Sequence, residues 1–424
     1  MFHTVFFRPF KPLLLATCLA ALVACSGSSD VELLASARGY LEKRENTSAI
    51  IELRNLLQQN PEQREGRFLL GKTLLATGDA AGAEIQLQRA LDAGHPENEV
   101  LPLLAKAMIT LNKSLLLVQQ YGSVGLKDDL AAAEFQTQLA LAHINNKALG
   151  KAEAAVETAL QRTTDYAPAA LLQARLKAGR GDMPAALALV EQLLAATPGN
   201  AAAWAFKGDL VARANRTDDA PALAAYRKAL ELQPDLVTAH VGVLSLLVAK
   251  RDFDAVAKHH DGMKKVLPQH PETQYFEAVL ALNKGDAKRV REITAGLLRG
   301  PQQDSRVLLL AGQAEIQLNA MTQAEALLGK AVLVAPNSAP PRRMLAQVYL
   351  QTGQADKALA VLKPLLDGAK PDAGLLVLLA RAQLMAGDAK SAEANFDRAA
   401  KLRPDDKRIH ASAVLSRLGK GQGV

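Results

Sequence analysis

Small residues return along this chain at one fixed phase, at an interval too long for any single helix or strand. Ala37, Gly71, Ala105, Ala140, Ala174, Gly208, Gly242, Ala278, Gly312, Ala346 and Ala380 form a ladder with steps of 34 residues, apart from one of 35 and one of 36. A small side chain at that phase lets one helix of each unit approach its neighbour closely. Twelve residues further on, a second ladder runs through Ala49, Ala83, Ala152, Ala186, Ala324, Ala358 and Ala392, which marks where a second helix crosses the first. The pattern predicts two helices per unit.

Between the ladders stand Thr77-Gly78-Asp79, Gly181-Asp182, Lys284-Gly285-Asp286 and Ala386-Gly387-Asp388. Glycine at such a place can close one helix in the left-handed region, and aspartate can cap the next. Units end at Pro61, Pro198, Pro234, Pro336 and Pro404, each expected to open the following helix, where the missing N–H is tolerated. Eleven hairpins fit between residues 31 and 404, and residues 405–424 read as a capping helix and tail. The ladder weakens over Asn112 to Ala133 and over Asp252 to Pro271, where the second helices lose their alanine. Distorted hairpins are expected at both.

Composition supports helices over strands. Apolar residues make up 49% of the 424 but aromatics only 4%, and Ala and Leu carry the apolar share. Helices packed through small side chains fit that balance. The net charge is +7, with no run of Lys and Arg of the kind that forms a nucleic-acid arm, so nucleic acid is not an expected partner. Both cysteines, Cys18 and Cys25, fall in the first 25 residues, so the body holds neither a disulfide framework nor a cysteine zinc site.

Met1 to Lys11 contain Arg8 and Lys11 and no acid, and Leu13 to Ala24 are apolar except for Thr17 and Cys18. This is a signal-peptide layout, and the run is well short of the roughly 20 residues that cross a bilayer as a helix. It ends Leu22-Val23-Ala24-Cys25, which resembles the bacterial lipoprotein signal. The resemblance implies that residues 1–24 are removed and that Cys25 is acylated. Each buried methylene then adds about 0.8 kcal/mol to membrane attachment. Ser26, in place of an aspartate after the cysteine, implies an outer-membrane lipoprotein facing the periplasm. Two of the +7 charges, Arg8 and Lys11, leave with the signal, so the mature chain carries +5. Residues 25–30 read as a short tether.

Three motifs invite chemistry that their context does not favour. Gly66 to Thr73 matches the phosphate-binding loop expression letter for letter, but Phe68, Leu69 and Leu70 lie in a predicted helix and Gly71 belongs to the ladder. Nucleotide binding is therefore not expected. His259 and His260, with His240 and His270 nearby, lack metal-ligand spacing, since adjacent helical residues point about 100° apart; they read as solvated surface histidines. No nucleophile and base stand in a supporting motif. The chain is expected to be no enzyme and to need no metal or other cofactor.

The 34-residue helix-turn-helix period resembles the tetratricopeptide repeat. Its clearest copies are Trp204, Gly208, Tyr226, Ala229 and Pro234, stretched by two residues at Thr217 to Pro221, and Ala380, Ala392, Phe396, Ala399 and Pro404. That resemblance implies an all-α solenoid, a right-handed superhelix of about eleven hairpins and a terminal helix. It further implies a concave groove lined by the residue after each rung of the first ladder: Arg38, Lys72, Lys106, Leu141, Arg175, Asp209, Val243, Val279, Gln313, Gln347 and Arg381. Four of the first five are basic, so an acidic peptide or an anionic polysaccharide is the expected ligand. The opening segment, Ala37 to Leu41, Ala49 to Leu57, Asn60-Pro61, Arg67 to Gly71, Gly78-Asp79 and Ala83 to Ala90, directly after a lipoprotein signal, looks like the repeat lipoproteins of PEP-CTERM/exosortase systems. This likeness implies a scaffold for exopolysaccharide export or protein sorting in biofilm formers. A periplasmic assembly factor for outer-membrane proteins is the alternative.

Overall fold

The computed structural model of the chain describes Met1 and residues 29–215, 217–300, 303–366 and 371–418. Residues 2–28, which include Cys25 and the expected signal, lie outside it, as do the last six residues. Every regular element among the described residues is helical. In chain order these are α1 (Asp30–Glu42), α2 (Asn46–Gln59), α3 (Arg64–Ala76), α4 (Ala80–Asp92), α5 (Glu97–Thr110), α6 (Ser114–Tyr121), α7 (Asp129–Asn145), α8 (Leu149–Arg162), α9 (Ala167–Gly179), α10 (Met183–Ala196) and α11 (Ala201–Ala214). They continue with α12 (Ala220–Leu232), α13 (Val237–Ala249), α14 (Phe253–Val266), α15 (Pro271–Asn283), α16 (Ala287–Leu297), α17 (Ser305–Gln317) and α18 (Met321–Val334). The last are α19 (Ala339–Gln351), α20 (Ala355–Leu362) with the 3-10 turn Lys363–Leu365, α21 (Ala373–Met385), α22 (Ala389–Leu402) and α23 (Lys407–Leu418). Twenty-two alternating helices and a terminal one match the expected eleven units and a cap.

The helices stop and start where local chemistry dictates. Gly78, Gly181, Gly285 and Gly387 take φ of +77° to +90°, and the N–H of the next residue reaches back five positions, as from Asp79 to the Leu74 carbonyl at 2.9 Å. The same aspartates then cap the following helix: Asp79 accepts from the Gly82 N–H, Asp182 from Ala185, Asp286 from Arg289 and Asp388 from Ser391. Five other turns place Arg44, Asn112, Lys147, Arg251 and Asn319 at φ of 57–60°, where a β-carbon costs about 1–2 kcal/mol. The unit-closing prolines do not open helices. Each is the second residue of a turn closed by a backbone bond, such as Asn200 N–H to Thr197 O at 3.1 Å across Pro198 and Leu236 N–H to Gln233 O at 3.1 Å across Pro234. A fixed φ near −65° suits that position as well as it suits a helix start.

The chain divides into two compact units, Met1–Leu210 and Val211–Val424, the division falling inside α11. Neither is built from self-contained hairpins. In the first unit one apolar cluster runs from Leu33 on α1 to Ala142 on α7, and further clusters join α7 to α9 and α9 to α11. In the second, clusters link α13 to α15, α15 to α17, α17 to α20 and α19 to α21, and Ile409 of α23 packs with Leu376 and Ala399. Within these clusters a hairpin borrows its core from the next, the arrangement that makes repeat stability a sum of neighbour terms.

The rungs sit at the helix crossings, with one correction. The insertion at Thr217 to Pro221 lengthens the α11–α12 turn by two residues, so the seventh rung is Leu244, fully buried, and not Gly242. Gly242 instead makes room for an aromatic ring, since a β-carbon there would stand 2.4 Å from the Tyr226 side chain. In the corrected register the second ladder is complete as Ala49, Ala83, Leu117, Ala152, Ala186, Ala222, Val256, Val290, Ala324, Ala358 and Ala392, all 0% exposed. The distortion expected near Asn112 is present, since α6 has only eight residues and α5 packs more extensively on α7 than on α6. The distortion expected near Asp252 is not: α14 has 14 residues and an Asp252 cap.

Candidate functional site

First helices lie beside first helices. Within the first unit α3 touches α5, α5 touches α7 and α7 touches α9; within the second the contacts run from α13 through α15, α17 and α19 to α21. The residue after each rung stands on the outer surface of this row. Arg38, Lys72, Lys106, Arg175, Asp209, Gln347 and Arg381 are exposed, while Leu141, Val279 and Gln313 are half-buried. Val243 is buried because the shifted register puts the exposed Ser245 in its place.

The basic residues of the first unit do not form an unbroken cationic strip. Arg38 donates to Glu65 of α3 at 2.9 Å, and Glu65 also stands 3.8 Å from His95. Lys72 lies 5.9 Å from the Phe68 ring centroid, and Phe68 stacks on the buried His95 at 4.2 Å. Arg175 holds its guanidinium 5.5 Å from the Phe206 centroid; the desolvation lowers its pKa and the charge of Asp209 opposes this. Lys72 and Lys106 form no ion pair with a described residue. The acids and rings around these cations were not singled out in the sequence. The signal was available for Phe68, which stands four residues before Lys72 and so on the same helix face.

Two hollows open on the row. Leu141 and Arg175 share one of about 350 Å³ with Ile144, Leu149, Leu172 and Leu176, and an Arg180–Glu153 ion pair stands at its edge. Gln347 and Arg381 share another, of about 360 Å³, between α19, α21 and α23. The structure thus brings expected residues together in pairs.

The rejected motifs have structural roles. Gly66 to Thr73 lie within α3: Gly71 packs against Leu87, and the Thr73 hydroxyl donates to the Leu69 carbonyl at 2.7 Å. The histidines are not solvated. His240 and His260 are buried, and His259 is half-buried. His240 Nε2 donates to the Pro234 carbonyl at 2.9 Å, which leaves its Nδ1 to accept from His259 Nε2 at 3.0 Å, and His260 Nε2 donates to the Thr273 carbonyl at 3.1 Å. Burial first, and then the nearby His240, Arg227 and His260, push His259 down to about 4. The bond to a proline carbonyl six residues earlier recurs from Trp204 to Pro198, Arg342 to Pro336 and His410 to Pro404, and braces the turn between units. Among the described residues no group of three or more His, Cys, Asp or Glu is placed to hold a metal ion, and no helix is long and apolar enough to cross a membrane.

Comparison with known proteins addresses the same row of helices. A sequence profile described as tetratricopeptide repeat matches residues 159–414, and a second of the same description matches residues 34–98. No curated protein matches. The crystal structure of the APC/C hetero-tetramer Cut9-Hcn1 is similar with a TM-score of 0.52 at 14% identity, over 96% of this chain and 78% of that one. Yeast Tom70 aligns over 93% of this chain and 96% of its own at 13% identity and a TM-score of 0.42. The pilF protein of Pseudomonas aeruginosa aligns over 52% and 97% at 15% identity and 0.43. At such identities the likeness concerns the fold alone, and of these three only the first is close enough to bear on it.

Proposed function

Because the chain belongs to the tetratricopeptide repeat family, we propose that it is a non-enzymatic scaffold of the bacterial cell envelope, anchored in the outer membrane by acyl chains on Cys25, which binds protein partners along its first helices. A repeat fold of this kind is typically a protein-binding one and non-catalytic. One observation supports the binding surface above others: buried rungs set the spacing of adjacent first helices, and the very next residue is exposed at Arg38, Lys72, Lys106, Arg175, Asp209, Gln347 and Arg381. Side chains held at fixed intervals on a stiff backing suit an extended partner, because little ordering remains to be done on binding.

The anchor rests on Leu22 to Cys25, and the biological setting, an exopolysaccharide or PEP-CTERM sorting system linked to biofilm formation, rests on the opening segment between Ala37 and Ala90. Mass spectrometry of the mature chain is expected to find an acylated Cys25 at its N-terminus, and C25A is expected to leave the membrane fraction. A pull-down from solubilised outer membranes should recover sorting or glycan-export components. Recovery of barrel-assembly proteins instead would turn the reading toward an assembly factor, and recovery of only cytoplasmic proteins would end both. Replacing Arg38, Lys72, Lys106 and Arg175 with alanine should weaken retention and its salt dependence; unchanged retention removes the first unit from the binding surface.

A further inference from the structure

Four arginines converge at the end of the second unit with too little acid to match them. Arg343 on α19, Arg381 on α21, Arg403 between α22 and α23, and Arg408 on α23 line the hollow that Gln347 shares. Asp372 accepts from both terminal nitrogens of Arg343, at 3.2 and 2.6 Å, and Asp406 stands 3.8 Å from Arg408 Nε. Arg381 and Arg403 form no ion pair with a described residue, and both are exposed. Arg343 Nε is buried without an acceptor. Gly374 keeps the wall open, since a β-carbon there would meet Asp372 Oδ1 at 3.3 Å and Arg343 Nη1 at 3.8 Å. The remaining wall is apolar, formed by Val377, Leu378 and Ile409.

We propose that this hollow binds an acidic peptide segment, with a carboxylate between Arg381 and Arg403 and an adjoining apolar side chain against Val377, Leu378 and Ile409. The proposal rests on the reading of the chain as a protein-binding scaffold and gives one partner a chemistry. Two cations in excess select an anion, and planar guanidinium groups match a carboxylate with paired N–H bonds. The apolar wall decides between anions: a peptide offers alkyl groups beside its carboxylates, whereas an anionic polysaccharide or a free phosphate does not and would leave that wall wet.

The test uses the full mature chain and fluorescence anisotropy with a labelled octapeptide of alternating leucine and glutamate. It should bind at least about tenfold more tightly than octaglutamate or oligogalacturonate, because only it fills both walls. R381A/R403A should weaken the octapeptide by about tenfold or more and flatten its dependence on salt, with the thermal melt unchanged because neither side chain is buried or paired. G374V, which narrows the wall, should weaken it as well. Equal binding by wild type and R381A/R403A overturns the proposal; if R38A/K72A/K106A/R175A then abolishes binding, the scaffold reading survives while this site does not. Tighter binding of oligogalacturonate overturns it in favour of a glycan site. No binding of any probe by wild type overturns it too, and leaves the scaffold reading to the membrane pull-down.

Discussion

Residues 112–133 and 252–271 both lack the alanine of the second ladder, yet only the first stretch is a distorted hairpin. At the first, Leu117 occupies the crossing, Lys113 supplies no cap, and α6 ends at Tyr121 after eight residues, so α7 closes directly on α5. At the second, Val256 occupies the crossing just as tightly, but Asp252 caps α14 and the helix runs its full 14 residues. Bulk at the crossing is therefore not what deforms a unit. What differs is whether the second helix is long enough to cover its partner; a cap is not required for that, since α2, α8 and α18 run 14 residues without a side-chain cap. Asp254, where the unshifted ladder looks for its alanine, is exposed because the register has moved by two.

The largest effect should come from the crossings themselves. L117A removes a fully buried leucine from a cluster that spans α1 to α7 and is expected to cost about 2–5 kcal/mol, read as a lower urea midpoint with amide exchange accelerating in α5 and α7 together. V256A removes two methyl groups and should cost about 2 kcal/mol, with faster exchange confined to α13–α15. Equal losses at the two sites, or an L117A effect that stops at α6, would break the contrast.

G242A tests the close approach of the Tyr226 ring. At an open helical position alanine would stabilise the helix by about 1 kcal/mol; against that ring it should instead lower stability by about 1–3 kcal/mol. A higher melting temperature for G242A would show that the ring does not fill this space.

The α13–α14 hairpin should also be the acid-sensitive one of the two. His259 is held neutral in the folded chain down to about pH 4, whereas its unfolded counterpart titrates near 6.5, so the unfolded state binds the extra proton between those values. Its contribution is complete above about pH 6.5 and is lost progressively toward pH 4. Melting temperatures of wild type and H259Q should therefore differ most near neutral pH and converge on acidification; parallel curves would show that the His240–His259 contact does not titrate with folding.

Caps and turns come last in size. D252A should destabilise by about 1 kcal/mol, whereas K113D offers α6 the cap it lacks but breaks the Lys113–Glu84 ion pair at 2.6 Å and should leave stability nearly unchanged. R251G, which relieves an arginine at φ 60°, should gain up to about 1 kcal/mol, and N112G only a few tenths because asparagine tolerates that region. Thermal melts of the four variants order them; a gain from D252A would deny the cap its role.

The site was half legible. The tetratricopeptide resemblance implies that the residue after each rung faces outward, and Arg38, Lys72, Lys106, Arg175, Asp209, Gln347 and Arg381 are indeed exposed. Phe68 and Arg343, each four residues before an expected residue on the same helix, were legible and missed. Glu65 and Arg403 were not legible, because they reach the same surface from a neighbouring helix or turn, at separations that depend on how units pack. The histidines failed for the same reason: His240 and His259 are 19 residues apart and meet only when α13 lies on α14.

By itself the amino-acid order determined the number of units, the glycine and aspartate turns and the helical class, since these depend on interactions within a few residues or on small side chains repeated at one phase. Tertiary structure alone decided which of the two weak stretches holds a shortened second helix, which charges are paired and which arginines gather in one hollow. Those outcomes turn on distances between helices, set by the bulk of side chains that are far apart in sequence, and no local pattern encodes them.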